Sequence, residues 1–170
     1  MKKFKFIDLF AGIGGFHIAM HEVGGECVFA SEIDKYARMT YEENFKKLSP
    51  KLFENNLFNE DITDENLDYS NLPDFDVLCA GFPCQPFSYA GKNEGFKDKT
   101  RGTLFFSILG ILEKKKPKAF ILENVKGLKS HDKGRTLQTI TDSLSNLGYK
   151  LHWEILDSLD FGLPQKRERW

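Results

Sequence analysis

The chain of 170 residues has no excess of positive charge: 24 Lys and Arg stand against 25 Asp and Glu, for a formal charge of -1. Nucleic-acid binding therefore cannot be argued from the totals and has to come from a local patch. No apolar run approaches bilayer-spanning length, so no membrane partner is expected. The start, MKKFKFIDLF, carries lysines but no long apolar region and no small-residue cleavage site, so no secretory signal is expected. Cysteine is scarce and odd in number: Cys27, Cys79 and Cys84. Three cysteines without framework spacing do not make a disulfide scaffold and favour a reducing cytoplasm. No Cys/His spacing suggests zinc. His17 and His21 are one helical turn apart but lack a nearby acid, and read as surface and core histidines rather than ligands, so no metal is expected. Phenylalanine, by contrast, is abundant at 16 residues, which points to an aromatic-rich core or an aromatic-lined pocket.

Short apolar runs alternate with helix-like stretches from the start. FKFIDLF (4–10) reads as a buried strand, followed by AGIGG and an amphipathic FHIAMHEVG. CVFASEID (27–34) begins as a second strand, and KYARMTYEENF (35–45) reads as a helix. DFDVLCAGF (74–82) is another buried strand. TLFFSILGILEKKK (103–116) has apolar residues at helical spacing and ends in lysines, where the macrodipole favours cations. AFILENV (119–125) reads as a further strand, GRTLQTITDSLSNLG (134–148) as a helix, and YKLHWEILDS (149–158) alternates like a strand. The polar stretch from Leu48 to Leu72 predicts loops and one short strand near Asp61. Strands separated by helices of this length imply right-handed crossovers and a mostly parallel α/β sheet with helices on both faces, one domain over 1–170. The end, FGLPQKRERW, stops as though another strand were about to begin, so the chain is expected to be a fragment or one part of a split protein.

In an open parallel sheet, ligands sit beyond the carboxyl ends of the strands near the switch point. The first such turn is DLFAGIGGF, where Gly12, Gly14 and Gly15 permit tight turning and close approach to a ligand. A glycine-rich turn with no ligand is the plain alternative. Two residues favour a nucleoside. Glu32 ends the second strand, where an acid can accept hydrogen bonds from both ribose hydroxyls, and Phe10 stands where it can lie against an adenine face. Three glycines in four residues depart from GxGxxG and leave little room for a pyrophosphate. That suits a nucleoside without phosphate, such as S-adenosylmethionine.

The same carboxyl edge carries reactive groups. Cys84 follows the strand DVLCAGF and stands between Pro83 and Pro86, which fix the backbone on either side. A loop cysteine beside an adenosyl pocket is placed as a nucleophile, whereas Cys27 and Cys79 lie in strands and read as buried packing residues. The nucleophile is the thiolate, so a cation or a helix N-terminus is expected near it. AFILENV ends in Glu123-Asn124, where desolvation would raise the carboxyl pKa and make it a proton donor. In QKRER, Arg167 and Arg169 alternate and can point the same way in an extended segment. A solvated basic loop is the plain alternative for that run.

DLFAGIGG, GFPCQPFS, ENV and QKRER, in this order and spacing, resemble the DNA (cytosine-5) methyltransferases of bacterial restriction–modification systems. The resemblance covers nearly the whole chain. It implies a Rossmann-like methyltransferase fold, S-adenosylmethionine as cofactor, a flipped cytosine in duplex DNA as acceptor, and a bacterial cytoplasmic setting. Carried onto these positions, Cys84 would be the nucleophile, Glu123 the acid on the cytosine, and Arg167 a contact to the base supported by Arg169. Phe10, Ala11, Gly12, Ile13, Gly14, Gly15, Glu32, Ile33, Asp61, Ile62, Gly81, Pro83 and Leu104 would line the cofactor site. Ile33 stands where relatives often carry an aromatic residue. SYAGKNEGFKDKTRG (88–102) looks like a loop that closes over DNA, with Gln85, Ser88, Lys92 and Arg101 as candidate DNA contacts.

Two further readings stand beside this one: an RNA cytosine-5 methyltransferase on the same scaffold, and a non-catalytic half of a split enzyme that acts with a second chain. The family continues beyond QKRER with more sheet and a target-recognition domain. The isolated 170 residues are therefore expected to bind cofactor weakly and to methylate DNA poorly or not at all. Robust methyl transfer to duplex DNA by the isolated chain would overturn this.

Overall fold

The computed structural model describes residues 3–83 and 104–170, which fall into two compact units. One takes in the described residues up to Gly81 together with Gly110–Leu122. The other takes in Phe82 and Pro83, Leu104–Leu109 and Glu123–Trp170.

The first unit carries the sheet. Its strands are β1 (Phe4–Leu9), β2 (Gly25–Ser31), β3 (Phe58–Asn59), β4 (Val77–Gly81) and β5 (Ala119–Glu123), in the order β3-β2-β1-β4-β5. β1 pairs in parallel with both β2 and β4, and β2 with β3. The order reverses at β1, so the crevice rule places a ligand beyond the ends of β1 and β4. The helices are α1 (Gly15–Glu22), α2 (Lys35–Phe45), α3 (Pro50–Glu54) and the later part of α4 (Leu104–Lys115).

Local chemistry fixes these elements. β1 is central, so Phe6, Ile7, Asp8 and Leu9 are all fully buried, as a strand covered on both faces demands. α2 starts where Asp34 accepts a 2.7 Å hydrogen bond from the Ala37 amide, satisfying one of the unpaired donors at the helix start. Near the end of α4, Lys115 donates to the Leu72 carbonyl at 2.8 Å and to Asp74 at 2.7 Å.

Many of the aromatics go into a core. Phe6, Tyr41, Phe45, Leu52, Cys27 and Cys79 are buried together, with Phe53 and Phe58 packed against them. Ring pairs extend through it: His17 stacks on Phe45 with centroids 4.0 Å apart, and Tyr41 on Phe58 at 4.7 Å. Burial drives the Cys79 thiol up to about 12, and that of Cys27 upward as well, so both are packing cysteines rather than nucleophiles.

The second unit holds the start of α4, α5 (Arg135–Asn146), and a two-stranded antiparallel sheet of β6 (Leu156–Asp157) and β7 (Glu168–Arg169). α5 buries Thr136, Ile140 and Leu144, a single stripe at four-residue spacing. Among the described residues no helix is long and apolar enough to cross a membrane, and no cluster of three His, Cys, Asp or Glu side chains is arranged to hold a metal ion.

AFILENV forms β5 as expected; as the last strand of the sheet it leaves Ala119 exposed and Ile121 42% exposed. An apolar run reads the same whether a strand is central or at an edge. YKLHWEILDS is not a strand along its length, for only Leu156–Asp157 pairs, and it pairs with β7 rather than with the parallel sheet. Alternation there marks residues that pack on one side; Trp153 takes the Lys129 ammonium over its ring at 5.4 Å. The short strand expected near Asp61 is β3, while α3 in the same stretch was not foreseen.

The glycine turn yields a test. Gly14 has φ +98°, and a Cβ there would lie 2.0 Å from the Phe45 ring. Gly15 has no such φ and would meet nothing within 4 Å. Gly14→Ala should lower stability by about 2–4 kcal/mol, from left-handed strain plus overpacking. Gly15→Ala should change it by less than about 0.5 kcal/mol. Urea denaturation of both variants checks the difference.

Candidate active site

Each unit contributes its own cluster. In the first, the chain leaves β1 through three left-handed residues: Phe10 (φ 55°), Gly12 (φ 54°) and Gly14 (φ 98°). For Phe10 that conformation is costly and needs support. Support comes from β2 and the residue after it. The Ala11 amide donates to the Ser31 carbonyl at 3.0 Å, and the Gly12 amide donates to the Glu32 carboxylate at 2.7 Å. The other Glu32 oxygen accepts from the Asp34 amide at 2.8 Å. Glu32 thus ties the end of β1 to the start of α2. A carboxylate has about four acceptor positions, so two remain for hydroxyl donors.

The residues expected around a cofactor are therefore placed unequally. Phe10 and Glu32 are half-buried, whereas Ile13 (62% exposed) and Ile33 (66%) follow the two hydrogen-bonded residues and stand out into solvent. Gly12 and Gly15 face open space, for a Cβ on either would meet nothing within 4 Å. Gly14 is different: its missing side chain makes room for the protein's own Phe45 rather than for a ligand. Ala11 and Ile62 are buried, and the Ile62 carbonyl accepts from the Tyr69 hydroxyl at 3.0 Å. Asp61 uses one carboxylate oxygen to accept from both the amide and the hydroxyl of Thr63. Gly81, at the end of β4, is partly exposed. An open glycine turn, a carboxylate with spare acceptor positions and two exposed aliphatic side chains fit an adenosyl group with its ribose hydroxyls.

In the second unit Glu123 ends β5 and is paired with Arg169, whose Nε lies 2.7 Å from Oε1. β7 brings the two together. The Asn124 and Trp170 main chains exchange hydrogen bonds of 2.8 and 2.9 Å, and Val125 forms a bridge with Arg169. Lys126 pairs with Glu168 at 2.6 Å on the neighbouring position. Of the two arginines, the structure sets Arg169 on the acid; Arg167 is exposed, and its amide donates to Asp157 at 3.0 Å. Pro83 is exposed and Leu104, which opens α4, is half-buried. Cys84, Gln85, Ser88, Lys92 and Arg101 lie outside the described residues.

Sequence reasoning passed over Asn124. It is buried (1% exposed), its Nδ2 donates to the Phe82 carbonyl at 2.8 Å, and its Oδ1 accepts from the Val125 amide at 2.8 Å. It anchors the chain two residues before Cys84 in sequence. An amide inside an otherwise apolar strand end was the available signal.

The sequence model of the family described as C-5 cytosine-specific DNA methylase matches residues 4–170. Type II methyltransferase M.HaeII of Haemophilus aegyptius is 56% identical over 169 residues, covering 99% of this chain and 49% of its own length. Type II methyltransferase M.HhaI of Haemophilus parahaemolyticus is 50% identical over 165 residues, covering 97% of this chain and 47% of its own. Among solved structures, the S. pombe Dnmt2 methyltransferase matches with a TM-score of 0.72 at 26% identity, over 98% of this chain and 49% of that one. The chain thus spans about half the length of the curated relatives it matches.

Replacing Asn124 by Ala leaves the Phe82 carbonyl without its donor in a buried position. Asn124→Ala should cost about 1–3 kcal/mol of stability, read from the urea midpoint.

Proposed function

This chain belongs to the C-5 cytosine-specific DNA methylase family, and from that premise we propose that it carries the catalytic machinery for methylating carbon 5 of cytosine in duplex DNA, as part of a restriction–modification methyltransferase. The observation that carries the reading is the Glu123–Arg169 pair at 2.7 Å, which puts an acid and a cation at the end of β5 in a chain that also has GFPCQPFS.

S-adenosylmethionine, when bound, supplies an electrophilic methyl group on a sulfonium. The Gly12–Glu32 corner, Phe10, Ile13, Ile33 and Asp61 would hold it: Glu32 accepts from the ribose hydroxyls, and the aliphatic side chains shield the adenine. Carbon 5 of cytosine is too weak a nucleophile to react unaided. The Cys84 thiolate adds to carbon 6, and a proton from Glu123 on ring nitrogen 3 takes up the electron pair. The resulting enamine is nucleophilic at carbon 5. Arg169 fixes the orientation of the Glu123 carboxyl, and Arg167, exposed on the same segment, is left to contact the base. After carbon 5 is methylated, loss of its proton to a base expels Cys84. The target base has to leave the stack for any of these side chains to reach it.

A duplex bearing 5-fluorocytosine tests the scheme, because fluorine in place of the departing proton stops the reaction at the covalent stage. With S-adenosylmethionine, a full-length protein carrying these residues should give an adduct that survives denaturation. Cys84→Ser should give none, and Glu123→Gln should form it at least about 100-fold more slowly, the usual scale of acid catalysis. An adduct on an RNA duplex instead of DNA would favour the RNA-directed reading. No adduct on either would refute the covalent mechanism.

A further inference from the structure

Beneath the glycine turn lies a buried polar cluster that the reaction scheme does not use. Asp8 is fully buried in β1, two residues before Phe10, and is paired in register with Ala30 on one side and Cys79 on the other. Neither carboxyl oxygen has a hydrogen bond of normal geometry, and Asp8 takes part in no ion pair among the described residues. An ionised carboxylate so enclosed would be very costly, so the group is held neutral. Its surroundings agree. Burial raises its pKa well above the carboxylate range; the His17 main chain and the Tyr41 hydroxyl act the other way, and the nearby Glu32 charge adds a smaller rise.

The neighbours form a connected chain. Tyr41 on α2 is hydrogen-bonded to His17 Nδ1 on α1 at 2.6 Å, and His17 Nε2 to the Ser49 hydroxyl at 3.1 Å. Burial, with His21 nearby, lowers the His17 pKa to about 4, so the imidazole is neutral and supplies no counter-charge. Cys27 on β2 and Cys79 on β4, both with raised thiol pKa values, are the remaining titratable groups facing Asp8, and neither is a cation. His17 stacks on Phe45, the ring that fills the space left by Gly14. The same cluster therefore touches the turn from below through Phe45, and Asp8 stands level with Ala30 on β2, two residues before Glu32.

We propose that Asp8 is a positioning residue for the cofactor turn: as a neutral acid it lets Glu32 keep its hold on the Gly12 amide, and a negative charge at Asp8 would oppose the Glu32 carboxylate and loosen the turn. Cofactor affinity then falls as pH rises through the Asp8 midpoint, by up to about tenfold per pH unit, because one proton is linked to binding. This rests on reading the Gly12–Glu32 corner as the cofactor end.

The test has a ligand-free arm and a binding arm. Carbon-detected NMR follows the Asp8 carboxyl of the ligand-free protein through rising pH, alongside the Gly12 amide shift. The expected result is a shared midpoint for the two, lost at Gly12 in Asp8→Asn. Should Asp8→Asn not fold, Tyr41→Phe serves instead: removing the hydroxyl that favours the charged form should move both midpoints upward together. An Asp8 carboxyl already ionised at neutral pH, no Asp8 midpoint before the protein unfolds, or a Gly12 amide indifferent to it, would each overturn the proposal. Calorimetry with S-adenosylmethionine, on a full-length protein carrying these residues, then separates the two claims. Affinity that declines across the same midpoint in the parent and stays flat in Asp8→Asn supports both. A coupled Gly12 titration with no cofactor bound at any pH supports the Asp8 link and refutes the cofactor reading.

Discussion

The carboxylate of Glu32 holds the two most demanding pieces of backbone in this protein at once. One oxygen accepts from Gly12 inside a left-handed turn, the other from Asp34 at the mouth of α2. Without the first bond, Phe10 would have little reason to keep a conformation that costs an ordinary residue about 1–3 kcal/mol. Without the second, the Asp34 side chain would not be delivered to the Ala37 amide. The clamp works only because β1 and β2 are adjacent and parallel, so that their carboxyl ends emerge side by side. Turn conformation and helix start are thus two consequences of one short-range electrostatic contact that the sheet topology makes possible.

In the second unit the equivalent role falls to backbone pairing. Glu123 is half-exposed, and what fixes it is Arg169, itself fixed because Asn124 and Trp170 exchange main-chain hydrogen bonds. A guanidinium is suited to this: its planar fork keeps one nitrogen on the acid while others remain available for a second acceptor. The arrangement separates two tasks between neighbouring residues. Glu123 pairs with Arg169 and is the acid of the proposed scheme, whereas Asn124 turns inward and holds the Phe82 carbonyl.

Much of the fold was legible because its signals are local. Asp34 before an amphipathic run gives α2 with the boundaries expected, and the lysines after TLFFSILGILE mark the end of α4. The glycine turn was legible as a turn, but the separate duties of Gly12, Gly14 and Gly15 were not. That Gly14 is reserved for Phe45 depends on a contact between residues far apart in sequence. The same reason hid the Asp8 cluster: His17 and His21 read as surface and core histidines without saying which is which, and the partners that place His17 inside, Tyr41 and Ser49, are 24 and 32 residues away. QKRER announces cations without saying which one meets the acid, since alternation leaves both arginines equivalent until β7 finds its partner. YKLHWEILDS shows the converse failure, a strand pattern that finds no strand partner among the described residues over most of its length.

The pairing of β7 with the residues after β5 also bears on synthesis. Lys126 and Glu168, which close this contact, are 42 residues apart. At about 5–20 residues per second, the acid leaves the ribosome a few seconds before the segment that will grip it. The clamp on Glu32, by contrast, closes within the first strand–helix–strand to emerge. The nascent chain would acquire its two clusters in a fixed order, the Gly12–Glu32 corner before the acid–guanidinium pair, so a translational pause after Glu123 would delay only the second.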